Sequence, residues 1–434
     1  MDGLPILQHI LKDTTRAYQA LQAFRLGAAI LISIVLVKLT FTTSEIGDFE
    51  WFLFLTNAAS FFWSMGLLNA FKSYAPALED KVEAALVSNL GYVFLLFGIA
   101  SVAVISCTDY GAELQQQGSW LYFCAFLIFG ITGSISEHLL ILKDESKSVF
   151  YYGLVSYLSY FVGVALIAYI YHTIFALVVF LAFWACIRFL YTLLLVHRYG
   201  NWSFDLALMY RFVAYSAPLI VHVLLGGGME YIDGYLVDTY YSRDEFTIFR
   251  YGARELPINT IFITAMVSTM IPLAVTNLQG TMSDLKLRLT RLMHWLFPCS
   301  IVLLIASPTI FKLVYNDGFL KSAFVFNIYL LILCSRIVLP QIILYARQKT
   351  KVLMWVGLLE LIINIALSLY LIQDYGILGV ASATVVAYLI QKLVLVWYCK
   401  MKLNVEITSY LDVKVHLWYS LLLYVVFFIT YYMY

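Results

Sequence analysis

Apolar residues run along this chain in thirteen stretches of roughly twenty positions, separated by short polar connections. A bilayer core about 30 Å thick takes about 20 apolar residues as a helix, so each stretch has the length of one crossing. The pattern predicts spans at 20–40, 49–72, 83–107, 119–142, 149–170, 173–196, 209–240, 250–278, 287–312, 323–346, 351–373, 377–400 and 414–434. No connection between them is long enough to hold a folded domain. The fold class is therefore an all-α polytopic membrane protein. The first nineteen residues lack an uninterrupted apolar core and a small-residue cleavage site, so no removable signal is expected. Leu4, Ile6, Leu7, Ile10 and Leu11 make this segment either a short interfacial helix or an amphipathic tail.

Composition agrees: the chain is 62% hydrophobic and only 12% charged, a balance that a water-soluble domain could not hide. Lys and Arg report orientation. With the N-terminus in the cytoplasm, 18 of the 27 lie on inside segments, 5 outside and 4 within spans, which leaves the C-terminus outside. The basic residues thus serve topology, and a net charge of +1 gives no reason to expect nucleic acid. The six cysteines lie in or beside spans, with no CxxC pair and no histidine at metal-ligand spacing, so buried apolar packing is expected and no metal site. Tyrosine and tryptophan at span ends, Tyr110, Trp120, Tyr122, Tyr240, Tyr241 and Tyr431 among them, form an interfacial belt.

The chain is internally duplicated at an offset near 200 residues. TSEIGDFEW at 43–51 corresponds to RDEFTIFRY at 243–251, with Glu45 matching Glu245 and Phe49 matching Phe249. The fifth and eleventh spans also pair, through Tyr152-Gly153-Leu154 and Val356-Gly357-Leu358. Two blocks of six spans share one orientation, so two six-helix bundles related by a pseudo-two-fold along the membrane normal are expected. The divisions are a cytoplasmic segment 1–19, a first lobe 20–196, a linker 197–208, a second lobe 209–400, a cytoplasmic link 401–413 and an additional helix 414–434.

Residues 357–388, GLLELIINIALSLYLIQDYGILGVASATVVAY, set a polar-spotted helix, a tight turn and a small-residue helix in succession. This resembles the eleventh and twelfth helices of Wzx-type polysaccharide flippases of the MATE/MOP superfamily. The stretches YSAPLIVHVLLGGGMEYIDGYLV, DEFTIFRYGARELP and FRLGAAILISIVLVKLTFTTSEIGDFEWF resemble other parts of that family, so the likeness spans roughly residues 20–400. Twelve or fourteen spans are usual there, and a thirteenth departs from the pattern. The resemblance implies movement of an undecaprenyl-pyrophosphate-linked oligosaccharide (an O-antigen, capsule or exopolysaccharide unit) from the cytoplasmic to the outer leaflet of the cell inner membrane. The headgroup would cross through a V-shaped cleft between lobes while the prenyl tail stays in lipid. Membrane lipids, a polysaccharide polymerase and its assembly machinery are the partners it implies.

Charged residues inside spans cost about 2.5–3.5 kcal/mol each on insertion scales, so each needs a partner, a wet cavity or a reach to the interface. His222, Gly226, Glu230 and Asp233 recur at helical spacing, and Pro218 and the Gly226–Gly228 triplet allow that helix to bend. Arg250, Arg254 and Glu255 begin the next span, so pairs with Glu230 or Asp233 are feasible, as lumen groups or as structural ion pairs. Arg336 lies beyond snorkelling range from either interface, Arg188 is shallower, and Arg25 sits near the inner mouth of the first span. Guanidinium stays ionised and bonds phosphate oxygens in a fork. Arg25, Arg188, Arg254 and Arg336 are therefore the expected cationic substrate-binding lumen. Lys392 is expected to snorkel. Glu230, Asp233, Glu255 and Glu360 are the expected coupling groups or lumen ion pairs. Glu360, Asn364 and Ser368 share one helix face; the carboxylate suits a coupling proton or sodium ion, or equally a pair with Arg336. Asn57, Ser60 and Ser64 form a second polar stripe, read as helix–helix hydrogen bonds before sugar contacts.

Three functions compete. A membrane polymerase, ligase or acyltransferase needs a large external loop, and the connections here are short, without a nucleophile or acid–base pair; no enzyme and no catalytic residue are expected. A MATE-like cation-coupled multidrug antiporter shares the architecture but has a less cationic cleft. In-span arginines favour an anionic cargo, hence the flippase, driven by membrane potential with or without a proton or sodium gradient.

Overall fold

The computed structural model describes residues 11–39, 41–254 and 257–433. It is helical throughout, with no β-strand among the described residues. The helices are α1 (Thr14–Lys38), α2 (Thr43–Tyr74), α3 (Asp80–Ser106), α4 (Asp109–Gln116), α5 (Trp120–Leu142), α6 (Ser146–Tyr171), α7 (Ile174–Tyr199), α8 (Leu206–Tyr240), α9 (Arg243–Gly252), α10 (Pro257–Thr276), α11 (Leu278–Val314), α12 (Asp317–Arg336), α13 (Gln341–Ala346), α14 (Thr350–Leu403) and α15 (Val413–Met433). Ten described helices, or eleven counting a bent pair in α2, are long and apolar enough to cross a membrane. One of them, the 54-residue α14, is broken by non-helical backbone at Gly376, φ 61° and ψ −141°, where the sequence places the turn between two spans. That conformation is open essentially to glycine alone. The interfacial segment expected from Leu4 to Ile10 lies outside the described residues, as does Glu255.

Helix starts follow capping chemistry. Thr42 accepts from the Glu45 N–H at 3.2 Å, and the Glu45 carboxylate accepts from the Thr42 N–H at 2.8 Å, a complete capping box. Two hundred positions later Ser242 caps α9 through the Glu245 N–H at 3.5 Å. The sequence correspondence at 43–51 and 243–251 is thus a shared helix start. In the second copy the N3 carboxylate turns away to accept from Lys321 Nζ at 2.7 Å.

α2 bends by 49° between Thr43–Ala58 and Phe61–Ala77. The stripe Asn57, Ser60 and Ser64 bonds backward onto its own helix, Asn57 to the Leu53 carbonyl at 2.9 Å and Ser60 to that of Thr56 at 2.7 Å. Back-bonding of this kind competes with the helix ladder and favours bending. At the corner the Ala59 carbonyl accepts from the Trp63 indole at 2.9 Å and the Ser101 hydroxyl at 3.0 Å. The expected helix–helix role therefore belongs to Ser101 and Trp63. α5 also departs from regular geometry, with a π-helical turn over Phe126–Gly130 and a break at Ser134.

The chain divides into two compact units, Met1–Gly227 and Gly228–Tyr434, the boundary falling in α8 at the glycine triplet. In the first unit α1 packs along α6, and α7 lies against α5, α6, α3 and α2. Its core includes Trp63, Phe71, Phe94, Leu139, Val149 and, from the start of α8, Phe212. In the second unit α12 contacts α9, α11 and α14, and α10 contacts α11 and α13. α15 packs mainly on α11, with Tyr419 stacked on Phe297 at 5.3 Å, and leaves Trp418 and Tyr432 exposed.

Candidate functional site

Each unit holds a buried polar cluster. In the first, α5 supplies Glu137, whose side chain has no exposed surface. Arg25 of α1 forms an ion pair with its Oε2, and Arg188 of α7 donates to its Oε1 at 3.1 Å. The Tyr157 hydroxyl of α6 donates to the same Oε1 at 2.9 Å and accepts from Arg25 Nε at 2.6 Å. Tyr152, one helical turn earlier in α6 and shifted by a residue, accepts from Arg188 Nε at 3.1 Å. The Arg188 guanidinium also lies over the Trp184 ring, 4.8 Å from its centroid. Four helices thus meet at one carboxylate, and the formal sum over Glu137, Arg25 and Arg188 is +1. A charge left unpaired at such a place costs several kcal/mol, so the three hold one another in place. An open groove of about 640 Å³ between α6 and α7, lined by Lys147, Tyr152, Ser156, Trp184 and Arg188 among others, reaches the Arg188 side of this node.

The second unit's cluster depends on the kink at Gly376, which folds the two halves of α14 back on each other. Asn364 of the first half donates through Nδ2 to Thr384 Oγ1 of the second at 3.0 Å. Thr384 in turn donates to Asp233 Oδ2 of α8, which also accepts from the Tyr329 hydroxyl of α12 at 3.2 Å. The Tyr241 hydroxyl takes the Ile372 carbonyl beside the kink at 2.8 Å. Asp233 Oδ1, Asn364 Oδ1 and Ser368 Oγ are buried and have no hydrogen-bond partner among the described residues. Buried polar atoms are almost always satisfied by protein or ordered water, so these are the atoms through which the cluster can take up a further polar partner. One carboxylate among neutral oxygens is a donor set for a hard monovalent cation or a proton, not for a transition metal. Nearby, Glu360 accepts from Gln391, and Lys392 donates to Gln341 Oε1 at 3.0 Å.

The family model described as "Polysaccharide biosynthesis protein" matches residues 35–324, two-thirds of the chain and the whole Glu137 cluster save Arg25. The chain belongs to the polysaccharide biosynthesis protein family. A second model, "Lipid II flippase MurJ", matches residues 246–434. No curated protein matches the chain. Among solved structures this family member is similar to the lipid II flippase MurJ in an inward closed conformation, at 16% identity and TM-score 0.74 over 96% of this chain and 92% of that one. It is also similar to an inward-facing multidrug resistance MATE family transporter of the MOP superfamily, at 10% identity and TM-score 0.63 over 90% and 95%. A MOP superfamily transporter from Pyrococcus furiosus matches at 11% identity and TM-score 0.60 over 93% and 99%. The fold is that of the MATE/MOP transporters, as the resemblance to Wzx-type flippases implies, and this member of the polysaccharide biosynthesis family is a multi-pass membrane protein.

The structure brings Arg25 and Arg188 together on Glu137 in the first unit, while Arg254 and Arg336 belong to the second unit. Arg336 is the last residue of α12, where a cation complements the helix's final carbonyls, and it lies over the Tyr388 ring at 5.4 Å. The helix stops there, and α13 resumes only after Pro340, where sequence pattern suggested one continuous span. Arg254 lies over Tyr251 at 4.6 Å. Glu230 and Asp233 separate: Glu230 is exposed and meets Arg250 at 3.5 Å, whereas Asp233 is buried. Lys392 does not snorkel; it is buried against Gln341 because the kink turns that face of α14 inward. Cys334 and Cys399 are buried as expected, but Cys107 and Cys299 are exposed. Glu137, Tyr157, Tyr329 and Thr384 do not stand out in the sequence, and Tyr152 does so only as a mark of the internal repeat. For Glu137 the signal was present, an acidic residue within the fourth span that needed a cation as much as the arginines needed an acid.

Proposed function

We propose that this chain is a flippase that moves an undecaprenyl-pyrophosphate-linked oligosaccharide from the cytoplasmic to the outer leaflet of the inner membrane by alternating access, with the N-terminus cytoplasmic and the C-terminus outside. The observation that carries the reading is the first unit's cluster: two guanidiniums share one carboxylate and keep a net positive charge at the depth of the spans. Guanidinium forks suit phosphate oxygens, so the cargo is an anion. In the first unit no acid is left over for a cationic drug, because Glu137 is already shared by two arginines. The family match to polysaccharide biosynthesis supports a glycan cargo. Asp233, Asn364, Ser368 and Thr384 would hold the coupling ion, sodium or a proton, which neutralises the buried carboxylate. An inside-negative potential favours outward movement of a doubly negative headgroup by about 2.3 kcal/mol per charge per 100 mV, so the bound cation serves mainly to reset the empty carrier.

Complementation of a flippase-deficient strain tests this. Arg25→Gln is expected to remove surface glycan at normal protein abundance, with Arg25→Lys only a partial substitute. Full surface glycan with Arg25→Gln would return the cluster to a structural role.

A further inference from the structure

An anionic cargo makes Glu137 puzzling, because a carboxylate fully buried between the two arginines competes for the charge that the cargo needs. Its bonding is orderly. Oε2 faces Arg25 Nη2, and Oε1 faces Arg188 Nη2 and the Tyr157 hydroxyl. The two Nε atoms are taken by tyrosine hydroxyls, Arg25 by Tyr157 and Arg188 by Tyr152. Each guanidinium plane is therefore fixed through two of its three nitrogens, and Nη1 of each stands outside these bonds. Arg25 keeps 38% of its side-chain surface exposed, while Arg188, 11% exposed, borders the α6–α7 groove.

We propose that Glu137 is a resident counter-ion: it orients Arg25 and Arg188 so that their free N–H edges meet the phosphoryl oxygens of a diphosphate, and by sharing their charge it keeps that anion loosely held. This rests on the anionic-cargo reading above. A transport site must bind well enough to admit its cargo and weakly enough to release it. Two bare guanidiniums in a low-dielectric setting would hold a diphosphate tightly, since charge pairs a few ångströms apart are strong there. One carboxylate in hydrogen-bond contact with both halves their net charge. Glu137 is thus a positioning residue that trades affinity for turnover. Tyr157 is its accessory, because its hydroxyl links Glu137 to Arg25 and can be removed without creating an unpaired charge.

The test is titration of inorganic pyrophosphate into the purified full-length protein in detergent, for wild type, Glu137→Gln, Tyr157→Phe and Arg25→Gln. It is paired with flipping of undecaprenyl pyrophosphate in vesicles of phosphatidylethanolamine and phosphatidylglycerol. Glu137→Gln is expected to bind pyrophosphate about tenfold more tightly, because it removes the competing negative charge, and Tyr157→Phe about threefold, because it releases the Arg25 Nε–H that the phenol oxygen occupies. Both are expected to lower the half-saturating lipid concentration and the maximal rate together. A purely structural tie would lower the maximal rate without tightening binding. If wild type binds pyrophosphate, Arg25→Gln abolishes it, and neither Glu137→Gln nor Tyr157→Phe binds more tightly, the counter-ion role is overturned while the anionic cargo stands. If none of wild type, Glu137→Gln and Tyr157→Phe binds pyrophosphate, both are overturned. Should Glu137→Gln fail to fold, Tyr157→Phe alone decides.

Discussion

Gly153 lets α6 lie directly against Leu21 of α1, and an alanine there should disturb both stability and the charged node. A Cβ on Gly153 would stand 2.8 Å from Leu21 Cβ and Cγ and 3.0 Å from Leu21 Cα, where ordinary van der Waals separations begin at 3.4 Å. The helices must part by about 0.6 Å or Leu21 must leave its place, and overpacking of this kind costs about 1–3 kcal/mol. One turn further along the same two faces, Arg25 Nε meets the Tyr157 hydroxyl at 2.6 Å. Parting the helices stretches that bond towards the limit of hydrogen bonding, and the larger Gly153→Val should break it. Thermal unfolding of the purified protein in detergent, followed by tryptophan fluorescence, is expected to rank wild type above Gly153→Ala above Gly153→Val. Leu21→Ala takes away the Leu21 Cγ that the new methyl would strike, though not the Cβ, and so relieves part of the clash. It should therefore cost less in the Gly153→Ala background than in wild type, a coupling of about 0.5–3 kcal/mol for residues that touch. Alanine and valine variants that melt with wild type, or single-variant costs that simply add, would refute the close-approach argument.

Three further outcomes are expected. Sodium, or a fall in pH, should raise the melting temperature of the wild type, as about 2.7 kcal/mol at a hundred times Kd would, and this dependence should vanish in Asp233→Asn and weaken in Thr384→Val. Gly376→Ala places a Cβ in backbone that L-residues rarely adopt, costs about 1–3 kcal/mol, and should weaken the same ion dependence by moving Thr384 away from Asn364; a melting curve with and without sodium checks both. Arg336→Ala should abolish surface glycan in a complemented flippase-deficient strain at unchanged membrane abundance, with Lys a poor replacement, and normal glycan would make Arg336 structural.

Span positions were legible in the sequence because bilayer thickness imposes one length on every helix, and repeated runs of twenty apolar residues leave little alternative. The corner in α2 and the π turn in α5 were not legible, because they depend on which carbonyl a side chain captures rather than on hydropathy. The clusters were legible by halves. Asp233, Glu360, Asn364 and Ser368 announce themselves as polar groups in apolar runs, but their partners look ordinary until the Gly376 kink sets Thr384 beside Asn364 and packing sets Tyr329 beside Asp233. Arg25 and Arg188 stood out by charge. What joins them is Glu137, about 50 residues from Arg188 and more than 100 from Arg25, and no local spacing rule pairs residues so far apart.

The doubly satisfied Ala59 carbonyl makes the corner in α2 a fixed joint rather than a hinge. In lipid, a backbone oxygen released from the helix ladder has no water to turn to, so a bend that comes and goes would repeatedly strand it. Here the indole of Trp63 and the hydroxyl of Ser101 close on that oxygen from two helices, the indole also donating to the Ser101 hydroxyl, so straightening would disturb a three-membered network. The first half of α2 is thereby tied at a set angle to α3, and any movement that the proposed transport cycle requires would pass this joint as a rigid elbow. Losing Trp63 or Ser101 would turn the elbow into a loose pivot, a fault that would show in the transport cycle before it showed in the fold.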